Sequence, residues 1–321
     1  MKENSCSICG NSVNNSLYRP KEMMFGLEDE FEYFKCSKCG CLQISEVPQN
    51  LQKFYPTDYY SYSNLSKNHY YSRIIRTGIY EKLLGSIRRR IVLHRLGQKN
   101  WLGRLLSSYY KPFYWIIEGL FRIDSKILDI GCGNGNLLLE LSKLGCTNLY
   151  GLDPFIEDDI HYPNGVKIFK KEIPEIDEKY DFIMLNHSFE HMDNPKIILQ
   201  KIHECLNPKS FVLIRIPVVS SYAFRKYGIH WVQLDAPRHF FLHTPNSINW
   251  LAEDTGFKVV KTLYDSTAFQ FVGSEGYLRN IPLKDVDHVF SGKQVKVFEK
   301  EAKRLNRIQD GDSACFYLYK E

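Results

Sequence analysis

Three glycines at alternate positions follow an acidic residue near the middle of the chain. Asp129 comes first, and the glycines are Gly131, Gly133 and Gly135. Glycine lets the backbone approach a ligand where a Cβ would collide, and the helix predicted behind the turn presents unpaired N–H groups. A second acid, Asp153, ends the next apolar run, where a carboxylate can accept both hydroxyls of a ribose. The pattern predicts a nucleoside-binding crevice at the carboxyl ends of parallel strands.

The spacing also discriminates between ligands. A dinucleotide fingerprint reads Gly-x-Gly-x-x-Gly, and its third glycine would fall at Asn136. No Gly-Lys-Ser/Thr follows the turn, as a Walker loop requires. A carboxylate at Asp129 can face an ammonium group, which a pyrophosphate ligand lacks. We therefore expect an ammonium-bearing nucleoside.

Reactive side chains also follow the fourth and fifth predicted strands. His187, Glu190 and His191 come directly after the fourth strand, and a long aromatic loop after the fifth contains Asp235 and His239. A hydroxyl is a weak nucleophile until its proton leaves, and a neutral imidazole within hydrogen-bond reach is an economical base. We favour His239 as that base, oriented by Asp235, with His191 or His187 as alternatives. The competing interpretation is that these residues only lock or pack the loops.

Two cysteine pairs near the N-terminus have the spacing of metal ligands. Each pair is separated by two residues and followed by glycine; the thiols are Cys6, Cys9, Cys36 and Cys39, with Cys41 as a spare that could compete. Two intervening residues let both sulfurs reach one tetrahedral ion. Because four thiolates leave no open coordination position, we expect a structural zinc. Unligated thiols and a redox pair are less favoured readings.

The elements that must position these residues alternate between strand and helix from residue 126 onward, which implies βαβ units and a parallel sheet. The predicted strands are 126–131, 148–153, 166–169, 180–186, 211–216, 257–264 and 314–319, and the predicted helices are 135–145, 195–206, 246–255 and 294–306. The last two strands fit a terminal antiparallel pair. An irregular stretch and one polar helix lie between them.

Composition and charge indicate a cytoplasmic globular protein. The 321 residues are 44% apolar and 25% charged, no apolar run approaches the length of a membrane span, and the first residues lack a signal-peptide core. Residues 69–124 hold eleven Lys/Arg against three acids. This basic, aromatic segment has three possible interpretations: a solvated helical cap, a contact with an anionic membrane or lipid-linked acceptor, or an RNA-binding surface.

We divide the chain into a zinc-binding module (1–45), a linker with the basic segment (46–124) and a catalytic domain (125–321).

The glycine pattern, together with Tyr150–Pro154, resembles motifs I and II of the class I S-adenosylmethionine-dependent methyltransferases. The resemblance implies a Rossmann-like α/β fold with a seven-stranded sheet and S-adenosylmethionine as cofactor. The cofactor contacts that it implies are Asp129, Gly131, Cys132, Gly133, Gly135, Asp153, Pro154, Asn186 and His187. Glu190 and His191, with Pro195, resemble the E-H-x-x-x-P element of many small-molecule methyltransferases. Ubiquinone-pathway enzymes can hold a divalent metal at an E-x-x-E-H element there, but His187 replaces its first glutamate.

The double cysteine head, the Phe54–Pro56 sequence and the Trp231–His239 loop occur together in zinc-headed methyltransferases associated with bacterial surface polysaccharide biosynthesis. This resemblance implies methyl transfer to a sugar, nucleotide sugar or lipid-linked glycan. Sugar C-methyltransferases carry Tyr-x-Glu-His after the fifth strand, where this chain has Ile216–Val219, so a hydroxyl acceptor is preferred. An RNA methyltransferase is a less favoured alternative, because no Asn/Asp-Pro-Pro-Tyr/Phe element follows Leu185. A catalytically inactive assembly partner is the other alternative.

Overall fold

The computed structural model describes residues 5–55, 79–98, 101–107, 113, 115–116 and 119–321. Most of the predicted linker and parts of the predicted basic segment lie outside these residues. Within the described part, clustering of backbone contacts divides the chain into two compact units. The first unit comprises the residues up to Phe54, His187–His203 and Ile214–Tyr319, and the second comprises the rest.

The described strands are β1 (Ser16–Tyr18), β2 (Tyr33–Lys35), β3 (Leu42–Ile44), β4 (Lys126–Ile130), β5 (Asn148–Leu152), β6 (Ile160–His161), β7 (Lys167–Phe169), β8 (Tyr180–Asn186), β9 (Leu206–Pro217), β10 (Phe241–Leu242), β11 (Lys258–Tyr264) and β12 (Ser313–Tyr319). The described α-helices are α1 (Ile79–Arg95), α2 (Trp101–Ser107), α3 (Asn136–Lys143), α4 (Pro195–Cys205), α5 (Tyr222–Tyr227), α6 (Pro245–Asp254), α7 (Phe269–Leu278) and α8 (Gly292–Arg307). Short 3₁₀ turns connect several of them.

The second unit contains a largely parallel sheet. Its strands follow the order β8-β4-β5-β7-β6, with residues 206–213 of β9 beside β8. Strand β4 pairs in parallel with β5 and β8, and β5 pairs in parallel with β7. Leu128 on β4 and Ile183 on β8 are buried. Strands of a parallel sheet are covered on both faces, which explains why their sequences are almost continuously apolar. The expected α/β architecture is therefore confirmed.

Two details of the sheet differ from the prediction. Strand β6 pairs antiparallel with β7 and adds an edge strand beyond the expected seven. Strand β9 begins at Leu206 rather than at 211. Its first residues include Asn207, Pro208 and Lys209. These polar residues do not form the apolar run by which a strand is predicted from sequence.

The first unit contains the late strands and the cysteine head. Strands β11 and β12 pair antiparallel, which confirms the predicted terminal pair. The polar helix α8 is also confirmed, and Ser291 caps it through a capping box with Gln294. Helix α7 was not predicted, because its polar and apolar residues do not alternate with a helical period and it contains two glycines. Its Gly273 lets Val232 pack close, since a Cβ there would lie 2.4 Å from Val232 Cγ2.

The cysteine head contributes to a small sheet whose last strand comes from far along the chain. The order is β1-β2-β3-β10, and Phe241 and Leu242 of β10 pair antiparallel with Gln43 and Leu42 of β3. Tyr33 and Leu42 are fully buried. The head therefore contains both a buried apolar layer and a cysteine cluster. No helix in the described residues is long and apolar enough to cross a membrane.

Candidate active site

The glycine-rich loop after β4 has the backbone that its sequence predicts. Gly131, Gly133 and Gly135 all have positive φ, a conformation that side chains with a Cβ rarely adopt. A Cβ at Gly135 would lie 2.5 Å from Ile168 Cδ1. The loop therefore tolerates no larger residue at that position, and it turns directly into α3.

Asp153 at the end of β5 is fastened to this loop by backbone N–H groups. The Gly133 N–H donates to one carboxylate oxygen at 2.8 Å, and the Phe155 N–H donates to the other at 2.9 Å. The carboxylate is thus held rigidly beside the glycines, as a ribose-binding acid must be. Pro154 is half-buried next to it, and the Cys132 thiol contacts the Gly133 carbonyl at 3.4 Å.

Two polar side chains at the ends of β4 and β8 have unsatisfied atoms. Asp129 is buried, and its Oδ1 has no hydrogen-bond partner among the described residues. The amide nitrogen and oxygen of Asn186 are likewise buried and unpaired there. Burial raises the pKa of Asp129 to about 8, against the lowering effect of the Asn186 amide. Unsatisfied groups of this kind in a glycine-lined cradle fit the ammonium of S-adenosylmethionine.

The predicted acceptor residues form a cluster in the first unit. His187 has a left-handed backbone with φ 51°, strain of the kind that collects at functional sites. Its Nδ1 lies 3.5 Å from Glu190 Oε1, and its side chain is 36% exposed. Glu190 is 1% exposed, and burial would raise its pKa, but His187, His191 and His239 together lower that pKa to about 2. Glu190 is therefore an anion surrounded by histidines.

His239 and His191 lie behind that carboxylate. The two rings meet edge to face with centroids 4.7 Å apart. His239 Nδ1 donates to the Gln233 carbonyl at 2.7 Å, and its Nε2 lies 3.9 Å from Glu190 Oε1. Burial and the nearby His191 lower the pKa of His239 to about 4, against the opposite effects of Asp235 and Glu190. The ring is therefore neutral at pH 7, as a base must be, but it is almost inaccessible.

Asp235 does not orient His239 as the sequence suggested. The orienting hydrogen bond comes from Gln233, and Asp235 Oδ2 is 3.8 Å from His239 Nε2. Asp235 instead pairs with Arg238, whose guanidinium has no exposed area and also contacts Glu22 at 2.9 Å. A guanidinium that is buried between two carboxylates holds the surrounding segments together and has a structural role. Nothing in the sequence around Glu22 marked it as a partner.

The four predicted thiols converge in the cysteine head. The ligand atoms of Cys6, Cys9, Cys36 and Cys39 all lie within 4.8 Å of one another. The Cys6–Cys39 and Cys9–Cys36 sulfur pairs are each 3.5 Å apart, and all four cysteines are free thiols. Tetrahedral sulfurs at about 2.3 Å from zinc stand roughly 3.8 Å apart, so the donor set fits that ion. Cys41 lies outside the cluster, with its sulfur 3.9 Å from His243 Nδ1.

Comparisons with known proteins bear on the part of the chain that contains the glycine loop and the histidines. A family model described as "Methyltransferase domain" matches residues 90–262, more than half of the chain. The chain is 28% identical to the EEF1A lysine methyltransferase 2 of Mus musculus over 183 residues, which are 55% of this chain and 68% of that protein. It is 23% identical to a ubiquinone biosynthesis O-methyltransferase of Rickettsia bellii over 184 residues, 52% of this chain and 73% of that protein.

A solved methyltransferase from Archaeoglobus fulgidus, titled as SAM dependent, is 20% identical and covers 76% of this chain and all of its own length. Its TM-score of 0.39 is too low to bear on the fold. The family match covers the glycine loop, both strand-end acids and the histidine cluster. The chain belongs to the class I S-adenosylmethionine-dependent methyltransferases.

Proposed function

We propose that this protein transfers the methyl group of S-adenosylmethionine to a hydroxyl of a sugar, nucleotide sugar or lipid-linked glycan. The observation that carries the proposal is the group of three histidines around the buried anion Glu190. A hydroxyl acceptor needs a proton acceptor, and this cluster supplies one. The glycan assignment rests on the resemblance of the cysteine head and the Trp231–His239 loop to zinc-headed methyltransferases of surface polysaccharide biosynthesis.

In this proposal the cofactor is held by the glycine loop and the strand-end acids. Asp129 and Asn186 face the ammonium end, because Asp129 Oδ1 and both polar atoms of the Asn186 amide are buried without a hydrogen-bond partner among the described residues. Asp153 accepts from the ribose hydroxyls. S-adenosylmethionine supplies an electrophilic methyl group, and the protein's residues orient it and shield it from water.

We assign proton acceptance to His187 rather than to His239. A base must touch the hydroxyl that it deprotonates, and the side chain of His187 is 36% exposed, against 8% for His239. Glu190 lies behind His187 Nδ1 and favours the proton on that nitrogen, which leaves Nε2 as the basic atom. The sequence had favoured His239 because it could not show the burial of that ring.

We further propose that the cysteine cluster holds a structural zinc. Gln43 Nε2 donates to Cys6 Sγ at 2.8 Å, and the Lys38 backbone N–H donates to Cys36 Sγ at 3.4 Å. Donors of this kind stabilise thiolates and are typical of an outer shell around a metal. With four thiolates as ligands the ion has no open position, so its role is to hold the head together.

We propose separately that helices α1 and α2 make peripheral contact with an anionic membrane. Arg89 and Arg90 on α1 are exposed, and Trp101 on α2 is 78% exposed. Basic and aromatic side chains together suit a lipid interface. Sedimentation with vesicles of anionic lipid, compared with neutral vesicles, tests it: equal sedimentation would contradict it.

The proposed activity is tested by mass spectrometry on a panel of acceptors. The purified protein and S-adenosylmethionine are incubated with nucleotide sugars, lipid-linked glycans, RNA and lysine-containing protein. We expect a mass increase of one methyl group on a sugar-bearing acceptor. Methylation of RNA or lysine alone would overturn the acceptor assignment, and a chain that does not bind S-adenosylmethionine in calorimetry would be an inactive partner.

A further inference from the structure

Helix α8 is attached to the first unit by one of its faces. Leu305 is buried, and the ring of Phe298 stacks on that of Phe271 with the centroids 5.4 Å apart. The side-chain amide of Asn306 donates to the Ser266 carbonyl at 2.9 Å and accepts from the Ser266 N–H at 3.0 Å. These contacts fix the rotation of the helix about its own axis, so its opposite face is directed towards solvent.

The outer face of α8 carries a row of cations. Five basic side chains recur at steps of three and four residues, and all five are exposed. They form what we call the α8 basic face: Lys293, Lys296, Lys300, Lys303 and Arg307. With 3.6 residues per turn they fall within an arc of about 80°, and at 1.5 Å per residue the row is about 21 Å long.

The acids of the helix do not neutralise this face. Glu299 accepts a hydrogen bond from the Ala268 N–H at 3.2 Å, and Glu301 is paired with Arg304 at 2.6 Å. Among the residues that the structure describes, no member of the α8 basic face takes part in an ion pair. Successive members are three or four residues apart, a spacing at which like charges repel and destabilise a helix. A partner of opposite charge would remove that repulsion.

Two exposed aliphatic side chains border the same row. Val297 is 65% exposed and Ile308 is 57% exposed. Around the helix axis Val297 falls about 40° and Ile308 about 60° from Lys293, both on one side of the cations. Phe298 is the only aromatic residue of α8, and its ring packs inward. The helix therefore presents cations and aliphatic groups to solvent, and no ring on which a base could stack.

We propose that the α8 basic face binds the anionic headgroups of a membrane. Clusters of about 4–8 Lys/Arg on an amphipathic helix are attracted by the negative potential of a leaflet that contains anionic lipid. Aliphatic side chains beside the cations enter the headgroup layer of such a surface. RNA matches the face less well, because RNA-binding surfaces rely on aromatic side chains for stacking with unpaired bases.

This surface is distinct from the membrane contact proposed for α1 and α2. Helix α8 belongs to the first unit, whereas Tyr55–Asn186, which include α1 and α2, belong to the second. The apolar face of α8 is already occupied by the interior of its own unit, so the helix does not bury that face in lipid. Binding therefore depends on charge, and salt should weaken it.

Co-sedimentation with vesicles tests the α8 basic face. The unmodified protein is mixed with vesicles of phosphatidylglycerol and phosphatidylcholine, or with vesicles of phosphatidylcholine alone. We expect binding to the anionic vesicles at about 0.1 M salt, and binding at least tenfold weaker at about 0.5 M salt or with the neutral vesicles. No binding to anionic vesicles, or equal binding to both kinds, would overturn the proposal.

Substitutions then locate the contact. Lys296→Gln combined with Lys300→Gln removes two cations from the middle of the row, and we expect affinity for anionic vesicles to fall at least tenfold, since each Lys/Arg near such a surface contributes about fivefold. The control combines Lys258→Gln with Lys284→Gln, two exposed lysines of the same unit outside α8. It removes the same charge and should lower the affinity by less than about twofold. Equal losses in the two variants would mean that net charge alone drives binding. Because glutamine is a good helix former, both variants should keep the Tm of the unmodified protein.

Two further arms separate this surface from its alternatives. Arg89→Gln combined with Arg90→Gln changes α1; if that variant alone loses vesicle binding and the α8 variant keeps it, the contact lies on α1 and not on α8. Fluorescence anisotropy with labelled RNA is the second arm. If the α8 variant loses affinity for RNA while it keeps its affinity for vesicles, the face binds RNA and the proposal is wrong.

Attachment to an anionic surface would bring the enzyme to acceptors that carry a lipid, and this consequence rests on the proposed function. The two proposals fail in different experiments. Vesicle binding is measured without cofactor or acceptor, so its absence removes the membrane contact and leaves methyl transfer standing. Vesicle binding without methylation of any sugar-bearing acceptor keeps the membrane contact and removes the proposed function.

Discussion

The phenol of Tyr33 donates a 2.8 Å hydrogen bond to the backbone carbonyl of His239. Tyr33 lies on β2 of the cysteine head, and both residues are buried. The Ile44 N–H donates to the next carbonyl, that of Phe240, at 3.0 Å. The Thr244 hydroxyl donates to the Cys39 carbonyl at 2.7 Å. The head therefore supports the segment that contains His239 from several sides and is part of the same compact unit.

Removing the Tyr33 hydroxyl tests that support. Tyr33→Phe keeps the aromatic ring and removes only the hydroxyl. The His239 carbonyl then loses the hydrogen bond that this hydroxyl donates. We expect a loss of about 1–3 kcal/mol in the free energy of unfolding, measured by urea denaturation. Tyr18→Phe on the half-exposed neighbouring strand is the control and should change stability by less than about 0.5 kcal/mol. Equal effects of the two substitutions would contradict the interpretation.

The buried group formed by Glu22, Asp235 and Arg238 predicts a large loss of stability when the guanidinium is removed. Arg238→Met leaves Glu22 and Asp235 buried without a counter-charge. We expect a loss of about 3–5 kcal/mol in the free energy of unfolding, measured by chemical denaturation. The matched control is Arg225→Met, which breaks a pair with Asp310 in which the arginine side chain is 56% exposed. This substitution should change stability by about 0–1 kcal/mol. A mild effect at Arg238 would mean that water enters the cluster.

Removal of the zinc that we propose for the head should weaken the pairing of strand β10, which lies far along the chain. Strands β3 and β10 are paired, and Gln43 on β3 also donates to Cys6 Sγ. We expect chelation, or Cys39→Ser, to speed hydrogen exchange at the Ile44 and Phe240 amides and to lower Tm. Cys41→Ala, which removes a thiol outside the cluster, should leave exchange at these amides protected. Unchanged exchange after confirmed loss of metal would show that the head folds without an ion.

Cofactor binding should depend on pH through Asp129, whose pKa is raised to about 8 by burial. Below that pH the empty site holds a protonated, neutral Asp129, and a cationic ammonium favours the ionised form, so binding releases a proton. We expect affinity for S-adenosylmethionine to rise with pH from 6 to about 8 and then to level off. Calorimetry in buffers of different ionisation enthalpy measures the released proton, and Asp129→Asn should abolish the release. Affinity independent of pH would contradict this assignment.

The same raised pKa predicts an effect on the stability of the empty protein. A folded-state pKa above the unfolded value of an aspartate means that the native state holds its proton more tightly. That contribution is fully present below about pH 4 and is lost as the pH rises towards 8. Asp129→Asn should therefore increase Tm at pH 8 relative to the unmodified protein without cofactor. A lower Tm in thermal denaturation at that pH would argue that the carboxylate is already stabilised by a partner.

Replacing the proposed base should slow turnover without weakening cofactor binding. His187→Asn removes the basic nitrogen, and general-base catalysis contributes about 10²–10⁴-fold. We expect kcat to fall by that factor with the acceptor identified by mass spectrometry, while the Kd for S-adenosylmethionine stays within about twofold. His230→Asn, a histidine in the same unit outside the cluster, is the control. Near-normal kcat in His187→Asn would return the role of base to His191 or His239.

The sequence by itself determined the features that depend on local chemistry. Glycines at positions 131, 133 and 135 predicted a left-handed loop because other residues avoid that backbone, and the structure confirms it. Apolar runs predicted β4, β5 and β8 within a residue, because a strand buried on both faces is apolar at consecutive positions. The spacing within each cysteine pair predicted the cluster in the same way.

Tertiary structure alone decided how distant segments share one site. Glu22 reaches Arg238 across more than two hundred residues, and Gln233 rather than Asp235 orients His239. No local pattern encodes such contacts, because each residue's sequence neighbours are compatible with several partners. Burial separates two of the histidines, since the sequence offers similar imidazoles and only packing leaves the side chain of His187 36% exposed against 8% for His239.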